Sequence, residues 1–274
     1  MTVDPVAAGG FAAAAPTYAR ARPTYARAAI GRIVELARST PAGTSAEVLD
    51  VAAGTGILTG QLTRARLRCA AIEPLGEMAA QLRRALPSVP CVRGTVEALP
   101  VRAGGTDVVT VAQAFHWFDA PAALAEVRRV LRPGGVLVLA WNVRDPSVPW
   151  VAALDDLVEQ HSGGRPYSHH EERRWSDTIG AAGGFDTVVE ERFDNPVATT
   201  VDGVCDRIRS ISFVAVMSPA RQDALVEDAR HLLADHGLDG AVEYPHHTVL
   251  DWARVLHRSP VRDASSPPDG TPAR

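Results

Sequence analysis

The residues most able to do chemistry fall in two short stretches. The first is VLDVAAGTG, residues 48–56, where Asp50 closes an apolar run and Gly54 and Gly56 follow in a turn. Glycines let the backbone come close to a ligand and adopt angles that a side chain forbids. Asp50 is expected to point its carboxylate into that turn, which suits an ammonium group or ordered water and not a diphosphate. Seventeen residues past Gly56, the run CAAIE ends in Glu73, at the position where a carboxylate accepts hydrogen bonds from ribose hydroxyls in doubly wound sheets. The second stretch, AFHWF at residues 114–118, places His116 beside Trp117 and Phe118. An imidazole there can take a proton from a hydroxyl near neutral pH, or can simply be hydrogen-bonded in a pocket wall.

Other chemistries are excluded. A dinucleotide fingerprint starting at Gly54 needs a third glycine at position 59, where the chain has Thr59. The 274 residues contain no Lys, which removes a Walker loop and Schiff-base or pyridoxal catalysis. With 28 basic against 32 acidic residues, a net charge of -4 and no dense basic stretch, nucleic acid is not expected as a partner. Cys69, Cys91 and Cys205 lack CxxC spacing, which fits a reducing cytoplasm. The N-terminal MTVDPVAAGGFAAAAP lacks the charged start and bulky apolar run of a signal peptide. No stretch reaches the roughly 18 apolar residues that cross a bilayer, so no membrane is expected. The pairs His169–His170 and His246–His247 lack nearby ligand spacing, and no metal is expected.

Something must hold these residues, and the alternation from Ala46 to Asn142 supplies it. Short β-branched runs (EVLDVA, CAAIE, VPCVRG, DVVTVA and GVLVLAW) alternate with helical stretches, the pattern of a parallel sheet covered by helices. Leu75, Met78, Ala79, Leu82 and Leu86 recur at helical spacing. Asp119 and Pro121 open another helix, which RPGG is expected to end before the fifth strand begins. Tyr25 to Arg38 reads as a helix beside the sheet, with Ile30, Ile33, Val34 and Ala37 on one face. Beyond Asn142 a helix is expected near Val151 to His161, then a polar loop HSGGRPYSHH, a strand at Thr187 to Phe193 and another at Val242 to Trp252. Between those strands Ser218 and Pro219 open a helix that Gly237 closes.

Taken together, these motifs resemble those of class I S-adenosylmethionine-dependent methyltransferases. DVAAGTG, AIEP, GTVEALP, DVVTVAQAFHWF and LRPGGVLVLAWN are most similar to the small-molecule group that includes the ubiquinone-biosynthesis and trans-aconitate methyltransferases. The resemblance implies an α/β, Rossmann-like, mostly parallel seven-stranded sheet with helices on both faces and an inserted helical cap. One domain over residues 1–258 is expected, with a core at about 25–145 and 180–256; the helical segment inserted between the late strands suggests cap elements at about 146–178 and 199–240, and the polar, Pro-rich tail at 259–274 is expected to be disordered. S-adenosylmethionine is the implied cofactor. Asp50, Ala52, Gly54 and Gly56 would surround its methionine part and Glu73 its ribose. Met78 would pack near adenine, with Thr95 and Val96 along its edge and Gln113 near the sulfonium. Tyr18 and Arg22 match an N-terminal motif that closes over the cofactor, and Arg22 would meet its carboxylate. Ala52 stands where many similar sequences have glycine, and PHHT at 245–248 departs from their aromatic and basic pair.

The expected partner is a small-molecule acceptor. His116 is the candidate base, and Trp117, Trp141 and Asn142 are candidates for the acceptor pocket, with Trp150 and Trp175 reaching in from the cap. Two other readings share this pattern: a cyclising or rearranging enzyme of the same fold, and a non-catalytic cofactor-binding protein.

Overall fold

The computed structural model describes residues 22–162 and 174–256. The first strands follow from apolar runs buried on both faces: β1 Glu47–Val51, β2 Arg68–Ile72, β3 Cys91–Val92, β4 Thr106–Ala112 and β5 Leu131–Arg144. Helices α1 Arg27–Arg38, α2 Ile57–Arg64, α3 Gly76–Ala85 and α4 Ala120–Val130 alternate with them. Two later strands, β6 Val189–Asp194 and β9 His246–Arg254, complete a seven-stranded sheet of order β3-β2-β1-β4-β5-β9-β6. The first five strands pair in parallel, and β9 runs antiparallel to both β5 and β6. This is the α/β Rossmann-like arrangement with helices on both faces.

Alternation along the strands assigns each residue a face. Leu49, Val51, Val109, Leu137, Leu139 and Trp141 belong to one core with α4. Val48, Val108, Val136, Val138 and Ala140 belong to a second core with α1 and α2. In α1 the buried set is Ala29, Ile30, Ile33, Leu36 and Ala37, and Val34 is half-buried against the same core; Leu36 is added to the expected face. The Asp119 carboxylate caps α4 by accepting from the Ala122 N–H, with Pro121 in the first turn. Ser218 and Pro219 begin the long helix Pro219–Asp235, and Gly237 follows it at φ +72°.

Two expectations are corrected. RPGG does not precede the fifth strand but lies inside it: Leu131 already pairs with Thr106, and the register resumes at Val136 opposite Val108. The intervening residues bulge outward, and Arg132 turns back to bridge Asp107 and Glu47. The expected strand Val242 to Trp252 is two strands, because Pro245 has no N–H to continue a ladder. β8 Ala241–Tyr244 pairs antiparallel with β7 Val197–Thr200 in a separate two-stranded sheet.

That small sheet joins α5 Pro149–Ser162, α7 Val201–Arg209, α8 Ser212–Ala215 and α9 Pro219–Asp235. They share an apolar core of their own that includes Trp150, Leu154, Val204, Ile208, Leu225, Leu233 and Tyr244. These elements leave and rejoin the main sheet at Arg144, Asp194 and His246, so they stand at its carboxyl edge, where ligands bind in open α/β sheets. The remaining helix, α6 Trp175–Ala182, differs from expectation: Trp175 and Ile179 pack in the main core and not in the cap. Most of the loop HSGGRPYSHH, with His169 and His170, the tail at 259–274 and Tyr18 lie outside the described residues.

Candidate functional site

Immediately after β1 the chain turns through three left-handed residues, Ala52 at φ +53°, Gly54 at +58° and Gly56 at +85°. Ala52 carries its side chain in a conformation that costs about 1 kcal/mol or more. Gly56 is required for packing, since a Cβ there would stand 2.9 Å from Leu82 Cγ of α3. At Gly54 a Cβ would meet nothing within 4 Å, so its outer side is open space. Its N–H donates to Glu73 Oε2 at 2.8 Å, while Leu75 N–H donates to Glu73 Oε1 at 2.9 Å. Glu73 therefore ties the turn after β1 to the turn after β2. It is 3% exposed, and burial raises its pKa above the usual carboxylate value while these two N–H groups hold it down. Each oxygen keeps a second lone pair, enough to receive a pair of ligand hydroxyls.

Asp50 is corrected. It shares the α2 face with Val48 and is fully buried. Thr59 of α2 and Thr110 of β4 donate their hydroxyls to its two oxygens. The carboxylate thus fastens α2 beneath the turn and does not point into it, and burial pushes its pKa up to about 6. The sequence reading gives neither Thr59 nor Thr110 this role. Their signals were a threonine in place of the third glycine and a lone hydroxyl in the buried run DVVTVA.

Along the next edge, Met78 is 3% exposed and faces inward from α3. Thr95 is partly exposed. The Val96 side chain is corrected to the main core, beside Leu99 and Ile72, so only its backbone can border a ligand. Gln113 follows β4 with a left-handed backbone at φ +56°, and its Nε2 donates to the Asn142 carbonyl at 3.0 Å.

The turn Phe115–Trp117 is anchored by Phe115, which is buried edge-on against Phe118 and Trp175. This leaves His116 half-buried, with its ring centroid 4.4 Å from Trp117 and 5.7 Å from Trp141. Trp117 is half-buried as well and packs against the main core. Two acceptor-pocket expectations are corrected here. Trp141 is 2% exposed and stacks on Trp175 with centroids 5.5 Å apart, so both indoles are core. The Asn142 amide is fully occupied by Pro23, Thr24, Asn195 and Thr248. Trp150 packs on Tyr244 within the cap core. Arg22 Nη2 donates to the Ser210 carbonyl in the cap at 3.3 Å. Of the remaining histidines, His246 is buried and donates from Nδ1 to the Tyr244 carbonyl, and His247 lies between Asp145 and Asp194.

Asp251 of β9 is a further buried carboxylate behind this wall. Burial and the neighbouring Glu190 push its pKa up to about 6, against hydrogen bonding from Trp141. The sign follows from linkage: a carboxyl raised in the fold favours folding below its unfolded pKa, and that contribution is lost as pH rises through 6. Asp251→Asn, which keeps an oxygen for the indole, is expected to be more stable than the native chain by about 1 to 3 kcal/mol at pH 8. The gap should close towards pH 4. Urea unfolding at the two pH values checks this, and a gap independent of pH would contradict it.

The fold is that of an α/β protein with a glycine-containing turn at the carboxyl edge of its sheet, and comparison with known proteins places it in a family. Residues 49–139 match the family model described as a methyltransferase domain. An uncharacterized methyltransferase of Mycobacterium tuberculosis is 37% identical over 190 residues, covering 69% of this chain and 74% of that protein. A putative type II methyltransferase from Anaeromyxobacter dehalogenans superimposes with a TM-score of 0.63 at 24% identity, over 86% of this chain and 99% of that one. A Haemonchus contortus phosphoethanolamine N-methyltransferase, solved with S-adenosylhomocysteine, superimposes at 0.50 with 18% identity, over 83% of this chain and 52% of that one. The chain belongs to the methyltransferase family that these relatives define.

Proposed function

We propose that this methyltransferase takes its methyl group from S-adenosylmethionine and gives it to a small molecule. The carrying observation is the Glu73 carboxylate, buried and bonded to the Gly54 N–H beside open space at Gly54. A buried acceptor with spare lone pairs suits a ribose diol and repels a diphosphate. Residues 52–56 offer backbone to the methionine part, and Thr95 with the Val96 backbone borders the adenine.

When bound, the cofactor supplies a methyl group already activated by its sulfonium. The chain's own task is alignment of the acceptor and exclusion of water. Gln113, held by Asn142, fixes the end of β4. His116 receives the proton of a hydroxyl acceptor. A small acceptor fits a site at the sheet's edge beside a cap with its own core, and the net charge of -4 disfavours nucleic acid. Among the described residues no helix is long and apolar enough to cross a membrane.

Calorimetry with S-adenosylmethionine, S-adenosylhomocysteine and NAD tests the cofactor. Micromolar binding of the first two without the third is expected, and failure of both to bind defeats the proposal. Incubation with methyl-labelled cofactor and an extract of the host then tests the acceptor. Label should appear in a low-mass product, and label confined to protein or nucleic acid would count against it.

A further inference from the structure

Residues 23–26, which lead from Arg22 into α1, are gripped by side chains of four other parts of the chain. Gln61 of α2 both accepts from Tyr25 N–H and donates to the Tyr25 carbonyl. Thr248 of β9 accepts from Ala26 N–H, serving a helix start whose own Ala26 has no side-chain cap. Asn195 Nδ2 donates to the Thr24 carbonyl at 2.8 Å. Asn142 of β5 donates to the carbonyls of Pro23 at 3.3 Å and Thr24 at 3.1 Å.

Asn142 is the centre of this cluster. Its Oδ1 accepts from Thr248 Oγ1 at 2.6 Å and from Asn195 Nδ2 at 3.1 Å. A primary amide has two hydrogens and two lone pairs, and all four are used. Its main-chain carbonyl receives Gln113 Nε2. One residue thus connects the left-handed end of β4 to the segment before α1. That segment is tied to α2, the helix that opens at Gly56, and through Arg22 to Ser210 at the end of α7 in the cap.

We propose that Asn142 is a positioning residue that couples the cofactor site to the cap, by fixing Gln113 on one side and residues 22–26 on the other. Starting a helix calls for one capping bond. Here six bonds from four parts of the chain fix a four-residue stretch that joins the cofactor turn's helix to the cap. The network is part-buried around a buried bond from Ala26 to Thr248, and a polar network whose members are all satisfied specifies one arrangement. Ligand held on the turn after β1 therefore favours the docked segment, and the docked segment favours ligand.

The inference rests on the cofactor reading, and its test separates the two. Asn142→Asp keeps the shape but turns lone pairs onto the Pro23 and Thr24 carbonyls. It is expected to weaken S-adenosylhomocysteine by about tenfold or more, measured by calorimetry well below the melting temperature. Thr248→Val should weaken it severalfold, and Thr248→Ser should bind as the native chain does. Hydrogen exchange adds a readout independent of activity. Bound S-adenosylhomocysteine should protect residues 24–30 and 201–210 in the native chain and fail to do so in Asn142→Asp. A folded Asn142→Asp with native affinity and native protection overturns the proposal. If that variant does not fold, the Thr248 pair decides, and equal affinity of Val and Ser variants overturns it. If the native chain binds no S-adenosylhomocysteine, the cofactor reading has failed. The coupling is then judged by exchange in the free protein, where Asn142→Asp must speed exchange in 201–210 as well as in 24–30.

Discussion

Glu73→Ala is expected to weaken S-adenosylhomocysteine by about ten- to a hundredfold, the equivalent of one charge-assisted hydrogen-bonding group at about 1.5 to 3 kcal/mol. The structure adds a second consequence that ribose binding alone does not give. Gly54 and Leu75 would each lose the acceptor for their N–H groups, so the two turns would loosen and stability should fall by about 1 to 3 kcal/mol. Glu73→Gln separates these effects. Its single carbonyl oxygen can serve one of the two N–H groups, and its NH2 must face the other, so both affinity and stability should fall between those of the native chain and the Ala variant. Calorimetry and urea unfolding measure the two quantities. A folded Ala variant with native affinity would remove Glu73 from the site.

The parts of this site that were legible in the sequence are those that local spacing determines. Gly54 and Gly56 follow a buried strand, and only a tight turn fits between it and α2. Glu73 could be placed because the end of the second strand lies beside the end of the first in a parallel sheet. Asp119 and Pro121 start a helix through contacts within one turn. The corrections have the opposite character. Asp50 is closed off by Thr59, nine residues away, and by Thr110, sixty residues away. A strand-end aspartate does not reveal from sequence which of two faces its carboxylate will find satisfied. Asn142 looked open to an acceptor, yet its partners lie 118 and 106 residues away at Thr24 and Thr248. Trp175 sits among polar residues in the sequence and reads as cap; only its stacking on Trp141 places it in the main core.

Face assignment also explains why the two ends of the site do different work. Asp50, Asn142 and Thr248 lie on the side of α1 and α2, where their hydrogen bonds hold turns and the segment before α1. Trp141 lies on the α4 side, within the core that His116 and Trp117 border. Polar contacts thus hold the turn after β1 and the segment before α1, and an apolar wall backs His116; in the proposed function these are the binding end and the reacting end. The rings of Trp117 and Trp141 border the imidazole and back it on the side of the main core.

His116→Ala is therefore expected to cut turnover of a hydroxyl acceptor by about a hundredfold or more, with S-adenosylhomocysteine affinity nearly unchanged. The fold should tolerate the change, because Phe115 anchors the turn and His116 is only half-buried. His116→Gln tests the mechanism within the same site: it can hold a hydrogen bond to the acceptor but cannot take its proton. Turnover as low in Gln as in Ala assigns His116 as the base. Recovery of most activity in Gln assigns it to orienting the acceptor, and native turnover in both returns His116 to the pocket wall. A carboxylate acceptor arrives already deprotonated and gives a base nothing to do, so loss of activity confined to hydroxyl acceptors would bind the residue to that one step.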